Sequence, residues 1–229
     1  MANQPEHPAP APGSPGAWRR LSQRFKLHKT EVRLGQQRLF LPELPDPLAY
    51  IEGRGQGDLP YWTKVWPAAL VLAELALALK PGGGPILELG AGLGLPGLAA
   101  ASQGRRVILS DLDPDALEFA QAAVEINGLE EFCQVRSLDW TAPPPDLTGF
   151  STILGAEVLY QPELYPRLVT LLGGLLAPGG TAYLSHQERP FAIGFFKLAQ
   201  ERFTIRATQR TLRGEDGPLR IILYALKKA

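Results

Sequence analysis

The chain has 229 residues, of which 45% are hydrophobic and 20% are charged, a composition typical of one globular domain with a substantial core. Lysine plus arginine and aspartate plus glutamate number 23 each, so no net electrostatic field favours a nucleic-acid or membrane partner. The single cysteine, Cys133, excludes an internal disulfide and a cysteine-based zinc site. Because the N-terminus also lacks the apolar run of a signal peptide, we expect a cytoplasmic protein.

The N-terminal part divides into two predicted segments. Residues 1–17 are rich in proline and alanine and have little to bury, which predicts a disordered tail. Residues 18–60 are predicted to form an N-terminal extension. Within it, apolar residues alternate on both sides of Gly35 and Gln36 and indicate a β-hairpin, and a glycine-rich loop follows at 53–58.

Residues 61–229 are predicted to form one α/β domain. A helix begins at Pro67, which suits a first helical turn, and runs to about Lys80. Short apolar runs predict strands at 85–89, 106–110, 134–138, 151–156 and 181–185, and periodic segments predict helices near 95–103, 114–127, 163–176 and 190–202. Two last apolar runs flank the turn-forming residues 214–218. The expected fold is a doubly wound, Rossmann-like α/β sheet of about seven strands, mostly parallel with a C-terminal antiparallel hairpin.

Three glycines mark the turn from the first of these parallel strands into its helix. The segment that begins at Glu88 reads ELGAGLG, and glycines at 90, 92 and 94 allow a sharp turn with a ligand lying against the main chain. In an open α/β sheet, ligands bind beyond the carboxyl ends of the strands. The same glycines, with Gly97, also match a dinucleotide-binding pattern, so a nicotinamide enzyme is an alternative at this point.

Polar side chains also follow the next two strands. Asp111 ends the second strand, about twenty residues after the glycine loop, which is the spacing expected of a carboxylate that binds ribose hydroxyls. The alternative role, capping of the next helix, is better filled by Asp113 before Pro114. Asp139 and Trp140 follow the third strand, where a polar group can bind the adenine amino group and an indole can stack on the ring. A tryptophan buried in the core is the alternative there.

The order and spacing of these motifs resemble the class I seven-strand methyltransferases. The matching segments are ELGAGLGLPGLAAA, SDLDPDAL, INGL, SLDW and ILGAEVLY. Within that class, WPAA at 66–69, LDW at 138–140 and GAEVLYQPE at 155–163 resemble the protein lysine methyltransferases. The characterised members of that family modify chaperones, elongation factors and flavoproteins. The nicotinamide alternative explains none of these last three segments.

The resemblance implies S-adenosyl-L-methionine as the methyl donor, S-adenosyl-L-homocysteine as its product, and no metal. It implies a protein as the methyl acceptor, and we expect a monomer. Trp66 is predicted to close the cofactor pocket from the side of the helix that begins at Pro67. The full set of predicted cofactor contacts is Trp66, Glu88, Gly90, Ala91, Gly92, Asp111, Leu112, Asp139, Trp140 and Ala156.

The methyl acceptor is predicted to lie at the end of the fourth parallel strand. The family carries Asp-x-x-Tyr there, whereas this chain has Glu157 and Tyr160, and the longer acid changes the geometry available to the substrate. A lysine amine must lose its proton before transfer, at a cost of about 4–5 kcal/mol at pH 7. Glu157 and Tyr160 are candidates to orient or deprotonate it, with a capping or solvated role for Glu157 as the alternative. His186, at the end of the fifth strand, is a third catalytic candidate, with a capping or solvated histidine as the alternative.

Three functions remain open from the sequence. They are a protein lysine methyltransferase, a small-molecule methyltransferase on the same fold, since the fold does not fix the acceptor, and a module that binds S-adenosylmethionine with weak catalysis and acts through a partner. Enzymes that methylate adenine or glutamine resemble one another in an Asn/Asp-Pro-Pro-Tyr/Phe motif, where this chain has AEVL at 156–159. Nucleic acid is therefore not an expected substrate. The two-glutamate loop of arginine methyltransferases is not recognisable.

Overall fold

The described part of the chain comprises residues 16–45, 60–80, 82–188, 192–214 and 217–228 of a computed structural model. Its strands form a seven-stranded sheet and a separate two-stranded hairpin. Nearly all of the predicted tail and the whole predicted loop at 53–58 lie outside these ranges. No helix within them is long and apolar enough to cross a bilayer.

The elements alternate along the chain once the N-terminal hairpin has been completed. Two 3₁₀ turns, Tyr61–Thr63 and Pro162–Leu164, precede the second and fifth helices. The helices and strands are α1 (Ala17–Arg24), β1 (His28–Leu34), β2 (Gln37–Glu43), α2 (Pro67–Leu77), β3 (Ile86–Leu89), α3 (Leu95–Ala101), β4 (Val107–Asp111), α4 (Pro114–Asn127), β5 (Cys133–Ser137), β6 (Phe150–Ala156), α5 (Tyr165–Leu175), β7 (Leu176–Gln187), α6 (Ile193–Ala199), β8 (Phe203–Gly214) and β9 (Gly217–Lys228).

The sheet has the strand order β5-β4-β3-β6-β7-β9-β8. Strands β3 to β7 are parallel to one another. Strand β9 runs antiparallel to both β7 and β8. The predicted Rossmann-like sheet with a C-terminal antiparallel hairpin is therefore confirmed. The chain moves outward from β3 to β5 and then returns to form β6 on the other side of β3. Ligands bind at such a reversal of strand order in open α/β sheets, beyond the carboxyl ends of the strands.

Local sequence signals explain where α4 begins and ends. The Asp113 carboxylate accepts hydrogen bonds from the N–H groups of Asp115 and Ala116 at 2.8 and 3.3 Å, which satisfies donors that the first helical turn leaves unpaired. Pro114 occupies the first turn, and Gly128 ends the helix in the left-handed conformation with φ of 64°. The prediction for this helix is confirmed to the residue.

Other boundaries differ from the predictions. The helix that begins at Pro67 ends at Leu77 rather than near Lys80. Strand β7, predicted over 181–185, extends over Leu176–Gln187. Pairing at its two ends explains the extension, because Leu176 pairs with Phe150 of β6, while His186 and Gln187 pair with β9.

The two faces of the sheet are covered by different helices. On one face, α2, α3 and α4 contribute the buried residues Leu72, Leu98 and Phe119. On the other face, α5 and α6 contribute Leu172 and Phe195. Burial on both faces accounts for the apolar runs of the parallel strands.

The N-terminal extension shares the first of these cores, and it contains a helix that the sequence did not predict. Ala17 and Leu21 of α1 are fully buried. The Glu125 carboxylate of α4 accepts the N–H groups of Ala17 and Trp18 at 3.0 and 3.2 Å. These contacts tie the first turn of α1 to α4, whose acidic side chain supplies the cap that the sequence before α1 lacks.

Candidate functional site

Apart from Trp66, which precedes α2, the predicted site residues lie along the carboxyl edge of the sheet, where β3, β4, β5, β6 and β7 end. The structure divides them into two groups, one on each side of the reversal of strand order. We call the group around the β3 and β4 ends the glycine-loop side and the group around the β6 and β7 ends the Glu157 side.

The glycine loop adopts a conformation that requires glycine. Gly90, Gly92 and Gly94 have φ angles of 56°, 52° and 74°, in the left-handed region that side chains disfavour. A Cβ atom on Gly92 would lie 3.2 Å from the backbone oxygen of Trp62, and one on Gly90 would lie 3.3 Å from Val158. The loop thus requires glycine both for its backbone angles and for its close packing.

Asp111 holds this loop to the segment that follows β4. Its carboxylate accepts the N–H of Gly92 at 2.9 Å and the N–H groups of Leu112 and Asp113 at 2.8 and 3.1 Å. Burial raises the pKa of the Asp111 carboxyl, and these three N–H donors partly offset that increase. A carboxylate offers about four acceptor positions, so Asp111 keeps capacity for a hydroxyl donor.

Glu88 lies beneath the loop. Its side chain is only 1% exposed, and its carboxylate accepts the N–H of Gly97 at 2.7 Å. Burial raises its pKa from 4.5 to about 8, and the nearby charge of Asp111 adds to the increase. Glu88 therefore supports the start of α3 from inside, and its predicted contact with a cofactor stays a prediction.

Trp140 and Leu112 border the same side of the edge. The Trp140 ring lies 3.8 Å from the position of a Cβ on Gly90, while Leu112 is 55% exposed, which is unusual for a large apolar side chain and leaves it free to cover a ligand. The Asp139 carboxylate accepts the N–H of Thr141 at 2.7 Å, so it braces the loop that carries Trp140.

A cavity of about 530 Å³ opens on the other side of Trp140, between the proline-rich loop after β5 and the outer surface of α5. The chain connects β5 to β6 without a helix, and residues of this connection line the cavity. The cavity shares Trp140 with the edge but contains none of the glycine-loop residues. Its lining residues are Trp140, Thr141, Pro143, Pro144, Pro145, Leu147, Thr148, Pro166, Arg167, Thr170, Leu171, Gly174 and Leu175.

Trp62, which the sequence analysis did not single out, lies against the glycine loop at Gly92. Its backbone lies against Gly92, and its indole N–H donates to the Asp113 carboxylate at 2.9 Å. Trp66 instead precedes α2, and its indole N–H donates to the Tyr61 carbonyl at 2.8 Å. Both tryptophans belong to the stretch YWTKVWP, so the sequence identified the segment but not that Trp62 lies against Gly92, and the cofactor contact of Trp66 stays a prediction.

Glu157 has the one positive φ angle among the described residues other than glycine, 54°. For a side chain with a Cβ this conformation costs about 1–2 kcal/mol, and such strain is concentrated at functional sites. Its N–H donates to the Ser185 carbonyl, and its Oε1 accepts the N–H of Gln187, both at 2.8 Å. Glu157 thus follows Ala156, the last residue of β6, and joins that strand end to the end of β7.

His186 is buried rather than solvated, with 4% exposure. Its Nδ1 lies 2.7 Å from the Gln187 carbonyl and donates to it, which leaves Nε2 as an acceptor in the neutral ring. Nε2 has no hydrogen-bond partner among the described residues. The ring stacks on Tyr224 at 5.4 Å, and Phe196 lies 3.7 Å from Tyr224 between ring centroids. The solvated alternative for His186 is wrong, because these two aromatic rings cover it.

Tyr160 lies beyond Glu157 and is 59% exposed, so the phenol projects from the surface rather than packing into the core. The structure therefore brings Glu157 and His186 to adjoining strand ends, with Tyr160 at the rim. Gln187, which bridges the two strands through its backbone, and the covering rings of Phe196 and Tyr224 were not predicted. Their positions depend on the register of the paired strands, which cannot be predicted from a single sequence.

Cys133 starts β5, at the opposite edge of the sheet from the site. Burial raises the pKa of its thiol to about 12, so the group is a neutral thiol at physiological pH and acts as a small apolar residue. Across the described ranges, no cluster of three or more His, Cys, Asp or Glu side chains has an arrangement that could hold a metal ion.

Comparison with known proteins agrees with the motifs and the fold. A family model described as lysine methyltransferase matches residues 55–209. This chain belongs to the lysine methyltransferase family. The resemblance to class I seven-strand methyltransferases, drawn from the motifs, is confirmed.

Two curated proteins are similar in sequence to part of this chain. The chain is 34% identical over 157 residues to EEF1A lysine methyltransferase 3 of Mus musculus, covering 64% of this chain and 66% of that protein. It is 31% identical over 154 residues to histone-arginine methyltransferase METTL23 of Mus musculus, covering 62% of this chain and 54% of that protein. It thus spans between 54% and 66% of the length of these two curated relatives.

Among solved structures, the tRNA (uracil-54, C5)-methyltransferase of Pyrococcus abyssi in complex with S-adenosyl-L-homocysteine superposes with a TM-score of 0.61. The superposition covers 86% of this chain and 44% of that chain at 20% identity. At that identity the likeness shows a shared fold and does not extend to the substrate.

Proposed function

We propose that this protein transfers the methyl group of S-adenosyl-L-methionine to a lysine side chain of a protein. The observation that carries the proposal is that the glycine loop, held by Asp111, and the strained residue Glu157 lie at the same edge of the sheet. Membership of the lysine methyltransferase family supports the choice of reaction. The single cysteine supports a reducing, cytoplasmic setting, and we propose that the protein acts as a monomer.

The residues of the glycine-loop side fit the proposed cofactor. The left-handed glycines expose backbone against which a ligand can lie, and Asp111 keeps an acceptor position for a ribose hydroxyl. Leu112, Asp139 and Trp140 would surround the adenine. The bound cofactor supplies a methyl group on a cationic sulfur, already activated for displacement. The full set proposed to hold it is Trp66, Glu88, Gly90, Ala91, Gly92, Asp111, Leu112, Asp139, Trp140 and Ala156.

The Glu157 side fits an amine acceptor. Oε1 of Glu157 is fixed by the Gln187 N–H, while Oε2 makes no hydrogen bond with another described residue. Because the strained backbone and the Oε1 bond fix the carboxylate, Oε2 can accept a proton from an approaching ammonium group without rearrangement. Tyr160 orients the amine from the exposed rim, and the buried Nε2 of His186 offers a second acceptor behind it.

An arginine side chain is the second candidate acceptor. The relative that favours it is named a histone-arginine methyltransferase and is 31% identical to this chain. A guanidinium keeps its charge at neutral pH far more strongly than an ammonium, so a single carboxylate beside the acceptor suits lysine better. The test below distinguishes the two acceptors directly.

The test incubates purified protein with a cell lysate and radiolabelled S-adenosylmethionine, followed by mass spectrometry of each labelled band. Gly92→Arg is the matched control, because a side chain at that position would collide with Trp62 and displace the loop against which the cofactor is proposed to lie. We expect a labelled protein band that disappears with Gly92→Arg and carries added methyl mass on lysine. Methyl mass on arginine would contradict lysine as the acceptor and support the second candidate. Label only in small organic molecules, or none at all, would contradict a protein acceptor.

A further inference from the structure

Strand β8 forms an open edge of the seven-stranded sheet. It pairs with β9 along its whole length, from Phe203 opposite Lys228 to Gly214 opposite Gly217, and no other described strand pairs with its second side. Every residue from Arg206 to Thr211 is exposed. Alternate backbone N–H and C=O groups of such an edge point away from the sheet and can pair with another extended chain.

The edge carries three arginines and no acidic residue. Arg206, Arg210 and Arg213 all lie in β8, whose sequence is FTIRATQRTLRG. None of the three makes an ion pair or hydrogen bond with another described residue. By contrast, Arg20 and Arg24 of α1 are paired with Glu118 at 2.8 and 2.6 Å. Within the described ranges, the guanidinium groups of β8 therefore have no acidic partner.

The arginines are divided between the two faces of the strand. Side chains alternate along a strand, so Arg206 and Arg210 project to the same face, while Arg213 projects to the other. Leu212, which shares the face of Arg206 and Arg210, packs against the cluster of Ala68, Val71 and Ile221, so this is the face on which α2 lies. Arg206 and Arg210 are four residues apart. In a strand added to the edge, two side chains that are also four residues apart would lie beside them.

The register of the sheet aligns this edge with the Glu157 side of the site. Arg210 pairs with Ile221 in β9, and Ile221 pairs with Gln187 in β7. The N–H of Gln187 donates to Glu157. Because neighbouring strands lie about 4.8 Å apart, the backbone of Arg210 is about 10 Å from that of Gln187.

We propose that β8 docks an extended acidic segment of the protein substrate by strand addition, with Asp or Glu at two positions four residues apart. The inference rests on the proposed function and names the substrate class for the same site. The unpaired strand backbone supplies hydrogen bonds, and the arginines supply charge complementarity. A strand partner fits these features better than a nucleic acid does, since only two of the three arginines share a face and the formal net charge of the chain is 0.

The same geometry limits where the methylated lysine lies. An added strand would be a further 4.8 Å or so beyond β8, about 14 Å from β7. An extended chain advances about 3.3 Å per residue, so at least four residues or so separate the docked segment from the lysine, unless a fold of the substrate brings them together.

The binding test uses a fluorescein-labelled peptide of the length of β8, 12 residues, built from alternating Thr and Val with Glu at two same-face positions four residues apart. One control peptide carries Lys at those positions, another carries the two Glu on opposite faces, and a single-stranded oligonucleotide replaces the peptide in a third titration. Fluorescence anisotropy is measured with the full chain and with Arg210→Glu and Arg213→Glu, which change the charge equally but on opposite faces.

We expect only the same-face acidic peptide to bind tightly. Arg210→Glu should weaken its binding by about fivefold or more, because a favourable cross-strand pair becomes a repulsive one, while Arg213→Glu should change it less than about twofold. Replacing one of the two Glu by Arg in the peptide should restore binding to Arg210→Glu. Equal effects of both variants, comparable binding of the Lys peptide or of the oligonucleotide, or no binding of the acidic peptide would overturn the proposal. If the acidic peptide does not bind, the role that remains for the arginines is to prevent the exposed edge from pairing with another copy of the chain.

The binding test is independent of methyl transfer. If the acidic peptide binds as expected but no protein is labelled from S-adenosylmethionine, the proposed function fails while the docking edge stands. If lysine is labelled but the peptide does not bind, the docking proposal fails alone.

Discussion

Asp111 and Glu157 each bring a carboxylate to the end of a parallel strand and accept backbone N–H groups there, but the contacts differ in reach and in strain. Asp111 binds the N–H groups of its own two successors and of Gly92, 19 residues earlier. Glu157 binds the N–H of Gln187, 30 residues later, and holds a left-handed backbone to do so. The glycine-loop side is thus built from short, relaxed loops, whereas the Glu157 side depends on the pairing of β6 with β7.

This contrast indicates that the two sides of the edge have different functions. Relaxed loops whose acceptors point at a fixed position suit a cofactor that is the same in every turnover. A strained residue tied to a neighbouring strand suits the group that contacts the varying substrate. The predictions that follow test whether the two sides can be separated experimentally.

The largest effect is expected on the Glu157 side. Glu157→Gln keeps the shape of the side chain and its bond to the Gln187 N–H but removes the group that accepts a proton. The turnover number should fall by a factor on the order of 10² to 10⁴, measured as initial rates with the labelled substrate protein. Tyr160→Phe is the companion variant and should slow turnover less, because its hydroxyl only orients the amine. A larger loss with Tyr160→Phe would exchange the two roles.

The next effect concerns the buried acid beneath the glycine loop. Burial raises the pKa of Glu88 from 4.5 to about 8. Below pH 4.5 both folded and unfolded chains hold the proton. As the pH rises towards 8, only the unfolded chain loses it, so this group increasingly favours unfolding. The shift corresponds to roughly 5 kcal/mol at most.

Glu88→Gln removes that pH dependence, because a neutral amide oxygen can still accept the Gly97 N–H. Urea unfolding should show the variant and the parent protein equally stable at pH 4.5, and the variant more stable at pH 8. An unchanged difference between the two pH values would show that Glu88 is ionised in the folded protein.

A third prediction separates backbone strain from close packing in the glycine loop. Gly92 and Gly104 both have positive φ, 52° and 76°, but a Cβ on Gly92 meets Trp62 at 3.2 Å while one on Gly104 meets nothing within 4 Å. Gly104→Ala should cost about 1–2 kcal/mol from backbone strain. Gly92→Ala should cost about 2–4 kcal/mol, because overpacking adds to that strain, and it alone should weaken cofactor binding. Equal losses of stability would mean that Trp62 moves aside freely.

The smallest of these effects is expected at Asp111. Asp111→Ala should weaken binding of S-adenosylhomocysteine about tenfold or more, since a charged hydrogen bond contributes about 1.5–3 kcal/mol. Asp113→Ala is the matched control, because it removes the cap of α4 and should lower the stability by about 1 kcal/mol with a smaller change in affinity. Calorimetric titration and thermal unfolding of both variants would measure this difference. An inverted pattern would assign ligand binding to Asp113.

The sequence predicted the glycine-loop side better than the Glu157 side for a physical reason. The glycine loop, Asp111 and the cap at Asp113 are determined by residues near one another in the chain, so spacing and turn chemistry identify them. The same holds for the doubly wound sheet, since alternating strands and helices restrict an open sheet to few topologies.

Long-range packing explains what the sequence did not predict. Helix α1 has no cap of its own and is held by Glu125 of α4, so nothing before Ala17 signals a helix. The burial of His186 under Phe196 and Tyr224, and the bridge from Glu157 to Gln187, depend on the register of β6, β7 and β9. Whether Trp62 or Trp66 approaches Gly92 depends on the turn between them, which the pattern of residues leaves open.

The central claim, that the edge is divided into a cofactor side and an acceptor side, is tested most directly by measuring two quantities on the same preparations of the parent protein, Asp111→Ala and Glu157→Gln. These are the dissociation constant for S-adenosylhomocysteine by calorimetry and the rate of lysine methylation at saturating cofactor. We predict that Asp111→Ala raises the dissociation constant about tenfold or more, whereas Glu157→Gln leaves it within about twofold and lowers the rate by a factor on the order of 10² to 10⁴. A Glu157→Gln protein that loses cofactor affinity as severely as Asp111→Ala, or that methylates lysine at the parent rate, would contradict the division.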